Sequence, residues 1–161
     1  MSKLLFFPFL LLYCTIAKGQ HESLSDLRFP VDKELLLTLV NTKRSQGCQC
    51  GDTYYPAVSP LTWNNKLANA AQKHSDEMAK RKKLTHYSKN GDDPGKRLSK
   101  EGYRWHAYAE NVAMGYFDER TVIQGWLSSP AHCANIMNPL VKEMGVAYNG
   151  RYWTQVFGSE E

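Results

Sequence analysis

Two apolar, alternating runs, residues 143–148 and 152–157, flank the step Asn149-Gly150. Asn-Gly between such runs is the strongest short-range hairpin signal, so the chain is expected to close on an antiparallel pair. Upstream the period changes. Leu35, Leu36, Leu39 and Val40 make a helical stripe over residues 31–46, with Gly47 as the stop. A second helix is expected over residues 64–82, with Leu67, Ala70, Ala71, His74 and Met78 on one face and a densely basic end. Residues 52–60, with two prolines, read as an ordered loop, and residues 96–101 as a short helix ending at Gly102. Residues 108–114 read as a strand, residues 119–127 as a helix, and Ser129-Pro130 as the start of another. Helices followed by helices mixed with a small antiparallel sheet make an α+β domain.

The 161 residues suffice for one domain, and 42% hydrophobic content excludes wholesale disorder. Residues 1–19 read as a signal peptide. Lys3 precedes the apolar run at residues 4–13, and Ala17-Lys18-Gly19 offers small residues for cleavage before Gln20. Residues 20–30 then form a flexible lead-in and residues 31–158 the domain. Export is the expected destination, with periplasm or cell surface as variants of it, and no later stretch is apolar enough to span a bilayer. Without Lys3 and Lys18 the charge is 18 basic against 16 acidic, or +2, too balanced to suit nucleic acid.

Export also shapes the cysteines. With Cys14 in the leader, Cys48, Cys50 and Cys133 remain, and an oxidising compartment favours one disulfide plus one thiol. A Cys48–Cys50 ring would be strained, so Cys133 is expected to pair with Cys48 or Cys50. Zinc held by these cysteines and a histidine is the weaker alternative, because Cys-x-Cys lacks the usual two-residue spacer.

No zinc-peptidase helix motif, nucleophile elbow or phosphate-binding glycine loop occurs. Individual residues carry what chemistry there is. His132 falls in the first turn of a helix, where the dipole favours a neutral imidazole. Glu110, inside an apolar strand, needs a partner, a proton or a cation. His86 sits in a loop beside Thr85 and Ser88, His74 reads as a core residue, and His106 and His21 lack context. Cys133 as a nucleophile has little support, since its neighbour His132 points elsewhere on the helix.

Taken together, Asn41-Thr42-Lys43-Arg44, Leu61-x-Trp63-x3-Leu67, His86, Ala109-Glu110-Asn111, Trp126-x2-Ser129-Pro130-x-His132-x2-Asn135-Ile136-Met137-Asn138-Pro139, Glu143-x-Gly145-Val146-Ala147-Tyr148 and Tyr152-Trp153-Thr154-Gln155-Val156-Phe157-Gly158 resemble the CAP superfamily. This is the cysteine-rich secretory, antigen 5 and pathogenesis-related 1 group, also called SCP-like extracellular proteins, and the match is closest to its compact bacterial branch. The resemblance implies a three-layer α-β-α sandwich with a central cleft. In eukaryotic members that cleft carries two histidines and two glutamates that can hold a divalent cation such as zinc. His86 and Glu110 match the first of each. The second glutamate falls near Ser129 and the second histidine on Arg151 or Tyr152, so His132 and Glu143 are the expected substitutes in a tetrad of His86, Glu110, His132 and Glu143.

The family is tied to several activities, so fold alone does not name one. The leading expectation is a secreted, monomeric binding module that takes an extracellular peptide, lipid or cell-wall glycan. Tyr54, Tyr55, Trp105, Tyr108 and Tyr116 are aromatic enough to help line its groove, although most of them are expected instead to fill the core of a small sandwich. One alternative is a hydrolase with Glu110 as general base and metal-bound water. Another is a lipid or sterol carrier.

Overall fold

The computed structural model describes residues 31–160. The expected leader, the lead-in and Cys14 lie outside them. The first helix, α1 (Lys33–Gln46), starts at Asp32, whose carboxylate accepts from Leu35 N at 2.9 Å, and stops at Gly47, where φ is +78°. Leu36, Val40 and Arg44 are its buried positions, one face of the helix at four-residue spacing. A hairpin follows, β1 (Cys48–Cys50) paired antiparallel with β2 (Thr53–Tyr55), so part of the expected loop is strand.

Next come β3 (Thr62–Trp63) and α2 (Asn65–Arg81), the latter capped by Asn64 Oδ1 accepting from Lys66 N and Leu67 N. Helix α3 (Pro94–Lys100) begins earlier than expected because Asp93 caps it and Pro94 occupies the first turn. Strand β4 (Trp105–Met114) also starts earlier, at an irregular register between Trp105 and Ala107. Two consecutive helices, α4 (Glu119–Ser128) and α5 (Pro130–Ile136), precede β5 (Glu143–Asn149) and β6 (Tyr152–Glu160).

The main sheet has the order β3-β5-β6-β4. Its three long strands are antiparallel neighbours, and β3 runs parallel to β5. The β5–β6 hairpin forms as expected, but its two-residue loop is Gly150-Arg151 rather than Asn149-Gly150. Asn149 stays paired with Tyr152, and its side chain donates to Asp76 on α2 at 2.9 Å. Gly150 alone takes the positive φ (+58°), a glycine-first tight turn.

Each sheet face carries its own core. Leu67, Ala70 and Ala71 of α2 and Leu98 of α3 pack with Tyr103, Ala147 and Val156 on one face. Leu36, Val40, Val122, Ile123, Trp126 and Ile136 pack with Val146, Trp153 and Phe157 on the other. This is the helix–sheet–helix layering expected of the chain. A Cβ on Gly145 would run into the backbone of Leu67 and Ala68, so the glycine lets α2 lie directly on β5.

Arg44 ties the second layer together. It is fully buried, and its guanidinium donates from Nε to Ser59 O (2.8 Å) and from Nη1 to Ile136 O (2.7 Å) and Asn138 O (3.0 Å). Burial lowers its pKa to about 10, which still leaves it charged at neutral pH.

Candidate functional site

Adjacent residues of β4 serve opposite faces of the sheet. Glu110 lies opposite Val156 in the register, and Asn111 opposite Gln155. Strand alternation therefore sends Glu110 toward α2 and α3 and Asn111 toward α5. Because β4 is an edge strand, the two sides meet around its margin.

Glu110 is the hub on its face. Only 7% of the residue is exposed, and both carboxylate oxygens are engaged. Arg97 Nη2, from α3, donates to Oε2 at 2.5 Å, and His86 Nδ1 lies 2.9 Å from Oε1. Donation to a carboxylate places the His86 proton on Nδ1 and turns its other nitrogen away from Glu110. Arg97 also donates from Nη1 to His86 O (2.8 Å) and Asp92 O (3.2 Å), so a single guanidinium fixes the loop, the carboxylate and the helix. His74 of α2 completes the cluster at 4.0 Å from Glu110, its Nε2 donating to Thr85 O at 2.7 Å. An apolar strand can hold a carboxylate here because the charge is paired and hydrogen-bonded.

On the other face, Asn111 donates to His132 O (3.2 Å) and Gln155 Oε1 (3.1 Å). Asn135 donates to Asn111 Oδ1 (2.8 Å) and to Glu110 O (3.2 Å), which docks α5 on the edge strand. His132 is partly buried, and its pKa is lowered first by burial and then by the nearby His86.

The expected tetrad divides unevenly. His86 and Glu110 are in contact, and His132 is within electrostatic range of His86. Glu143 is engaged elsewhere. It accepts from Asn64 Nδ2 (2.8 Å) and from the buried Tyr103 hydroxyl (2.7 Å), whose own ionisation burial and then Glu143 push strongly upward. A cation bound by the four residues would have to displace Arg97 from Glu110 and Tyr103 and Asn64 from Glu143. The donor set fits paired carboxylates rather than a four-ligand metal centre. Among the described residues, the one trio of potential ligands with atoms all within 4.8 Å is Cys48, Cys50 and Cys133. Cys50 and Cys133 are joined as a disulfide, and Cys48 remains a thiol.

Next to the Glu110 cluster, a groove of about 690 Å³ runs between α2, α3 and the loop joining them, with Arg97 in its wall. Lys73, Lys80, Arg81, Lys89, Arg97 and Lys100 line it against Glu77, Asp92 and Glu101, six cationic residues to three acidic ones. Lys73–Glu101 (2.6 Å), Arg81–Glu77 (3.1 Å) and Lys100–Asp92 are ion pairs along its walls. The aromatics expected to line a groove lie apart from it. Trp105 and Tyr108 stack edge to face at 4.6 Å and pack over Gly95, Tyr55 and Tyr116 border the core around α1 and α4, and Tyr54 is exposed.

Arg97 and Tyr103 are site residues that the sequence did not single out, and His74 belongs to the cluster as well as to the core. His74 also supplies a pH dependence. Burial lowers its pKa, outweighing the opposing charge of Glu110. The unfolded chain therefore takes up a proton at a higher pH than the folded protein does, and acid favours unfolding. His132 shifts in the same direction. Stability is expected to be flat above about pH 6.5, the ordinary histidine value, and to fall as pH drops below it. His74→Gln, which keeps an amide donor for Thr85 O, should flatten that fall in urea titrations at pH 5 to 7.5. An unchanged slope would assign the acid sensitivity to other groups.

The comparisons with known proteins agree with this architecture. The family model described as "CAP: Cysteine-rich secretory protein family" matches residues 37–157. A Bacillus subtilis protein titled "Uncharacterized membrane protein YlbC" is 29% identical over 100 residues, covering 62% of this chain and 29% of its own length. "Uncharacterized protein YkwD" of the same organism is 29% identical over 102 residues, covering 62% of this chain and 40% of its own. Among solved structures, an extracellular protein containing an SCP domain from Bacillus anthracis superposes with a TM-score of 0.69 at 26% identity, over 79% of this chain and 40% of that one. The chain thus spans less than half the length of these relatives.

Proposed function

This chain belongs to the cysteine-rich secretory protein (CAP) family, and from that premise we propose that it is an exported binding module whose groove beside Arg97 takes an acidic peptide segment. The observation that carries the reading is the combination of a groove with excess positive charge and a wall fixed by the Arg97–Glu110–His86 cluster. A wall locked by buried hydrogen bonds loses little freedom when a ligand arrives, which is what preorganised binding requires.

Binding is favoured over hydrolysis because Glu110, the expected general base, has both oxygens committed to Arg97 and His86. Export rests on the leader-like residues 1–19 and on the extracellular description of the Bacillus anthracis relative. No described helix is long and apolar enough to cross a membrane.

Fluorescence anisotropy with labelled extended peptides, one acidic, one basic and one neutral, tests the reading. The acidic peptide should bind best and weaken with salt. The double charge reversal Lys80→Glu with Lys89→Glu should cut its affinity about tenfold, roughly 1.4 kcal/mol. Equal affinity for all three peptides, or an unmoved affinity in the variant, would overturn the proposal.

A further inference from the structure

Three sulfurs meet where the short hairpin packs against α5, away from the groove and from Glu110. Cys50 and Cys133 form the disulfide, with Cα atoms 5.5 Å apart. Cys48, two residues before Cys50, projects from the same face of β1, and its Sγ lies 3.6 Å from Cys133 Sγ. Sulfurs at that separation are in van der Waals contact, so a nucleophile already rests against the bond it would attack. Access differs among the three. Cys48 is partly exposed, whereas Cys50 and Cys133 are 3% and 0% exposed. Neither the binding groove nor the Glu110 cluster makes use of them.

We propose that Cys48, Cys50 and Cys133 form a thiol–disulfide exchange site, in which the Cys48 thiolate attacks Cys133 Sγ and moves the disulfide from Cys50–Cys133 to Cys48–Cys133. The step is balanced within the chain. Cys48 gives its proton to water, the Cys48–Cys133 bond forms as the Cys133–Cys50 bond breaks, and Cys50 leaves as a thiolate that takes up a proton. One disulfide and one thiol exist before and after, so no oxidant or reductant is consumed.

The fold makes the two states nearly equivalent in chain entropy. The loop closed by Cys50–Cys133 spans a sequence separation of 83, and that closed by Cys48–Cys133 spans 85. Loop-closure entropy depends on the logarithm of this length, so it barely discriminates between them. Either bond tethers α5 to β1. What changes is the place of the thiol, from the partly exposed position 48 to the buried position 50, where apolar surroundings make a thiol inert. The site therefore switches an accessible thiol into a hidden one while the tether persists.

Linkage mapping tests this on the full chain carrying Cys14→Ser, which removes the leader's thiol. Dilute protein is held for hours at about pH 8.5, where thiols ionise, or at about pH 4, where they do not. Acid quenching and peptic digestion preserve the linkage, and fragmentation between residues 48 and 50 assigns it. Both linkages are expected in the alkaline sample, with Cys48–Cys133 depleted in the acidic one. Cys50–Cys133 alone in both samples would overturn the proposal, as would Cys48 bonds found only between two chains. Cys50→Ser supplies an independent reading. Its air-oxidised, folded form should bridge Cys48 to Cys133 and titrate no free thiol, and a folded form titrating two thiols would also overturn the exchange.

Discussion

Arg44→Leu is expected to lower stability by about 3–5 kcal/mol. Each of the four carbonyls that Arg44 serves, those of Ser59, Ile136, Asn138 and Val141, would lose a donor in a buried setting, at roughly 1–3 kcal/mol per orphaned acceptor, partly offset by no longer desolvating a cation. For a domain of this size such a loss corresponds to about 10–20 °C in melting temperature. The effect should be concentrated on one side of the molecule, because the acceptors belong to the segment before β3, to the last residue of α5 and to the connection from α5 to β5. Arg44→Lys should recover less than half of it, since one ammonium cannot reproduce a planar fork that points two ways at once. Urea and thermal unfolding of both variants check this. A leucine variant melting within a few degrees of the parent would mean that water or another donor satisfies those carbonyls.

Arg44 also shows why some of the molecule was legible from the sequence and some was not. The β5–β6 hairpin and the helices α1, α2 and α4 announce themselves through local periodicity and turn chemistry, which need no partner to be read. The strands β1, β2 and β3 are two or three residues long, and β3 exists only because it pairs with β5 about eighty positions later. No local pattern specifies such a contact. Glu110 stood out because a carboxylate inside an apolar strand demands explanation. Arg97 and Arg44 did not, because an arginine on a helix ordinarily faces water, and their carboxylate and carbonyl partners lie up to 97 positions away. Glu143 was a reasonable ligand candidate at the start of a strand, yet its place is fixed by Asn64 and Tyr103, two residues whose convergence is purely tertiary.

The Glu110–Arg97 pair yields the other large effect, and it separates the contribution of pairing from that of packing. Glu110→Ala leaves the Arg97 guanidinium, whose side chain is 8% exposed, without its carboxylate, and releases His86. Breaking a buried pair from one side in this way is expected to cost about 3–5 kcal/mol, because the surviving charge stays buried. Arg97→Met should cost a similar amount, since it strands the carboxylate with His86 and frees the loop carbonyls of His86 and Asp92. Removing both, as Glu110→Leu with Arg97→Met, takes away the two charges together and should cost less than the sum of the single changes by about 1–3 kcal/mol. The groove supplies a second readout. If the ion pair fixes its wall, the double variant should fold and yet bind the acidic peptide more weakly than the parent. Additive single effects with unchanged peptide affinity would reduce Glu110 and Arg97 to independent packing residues, and the preorganised wall would no longer account for binding.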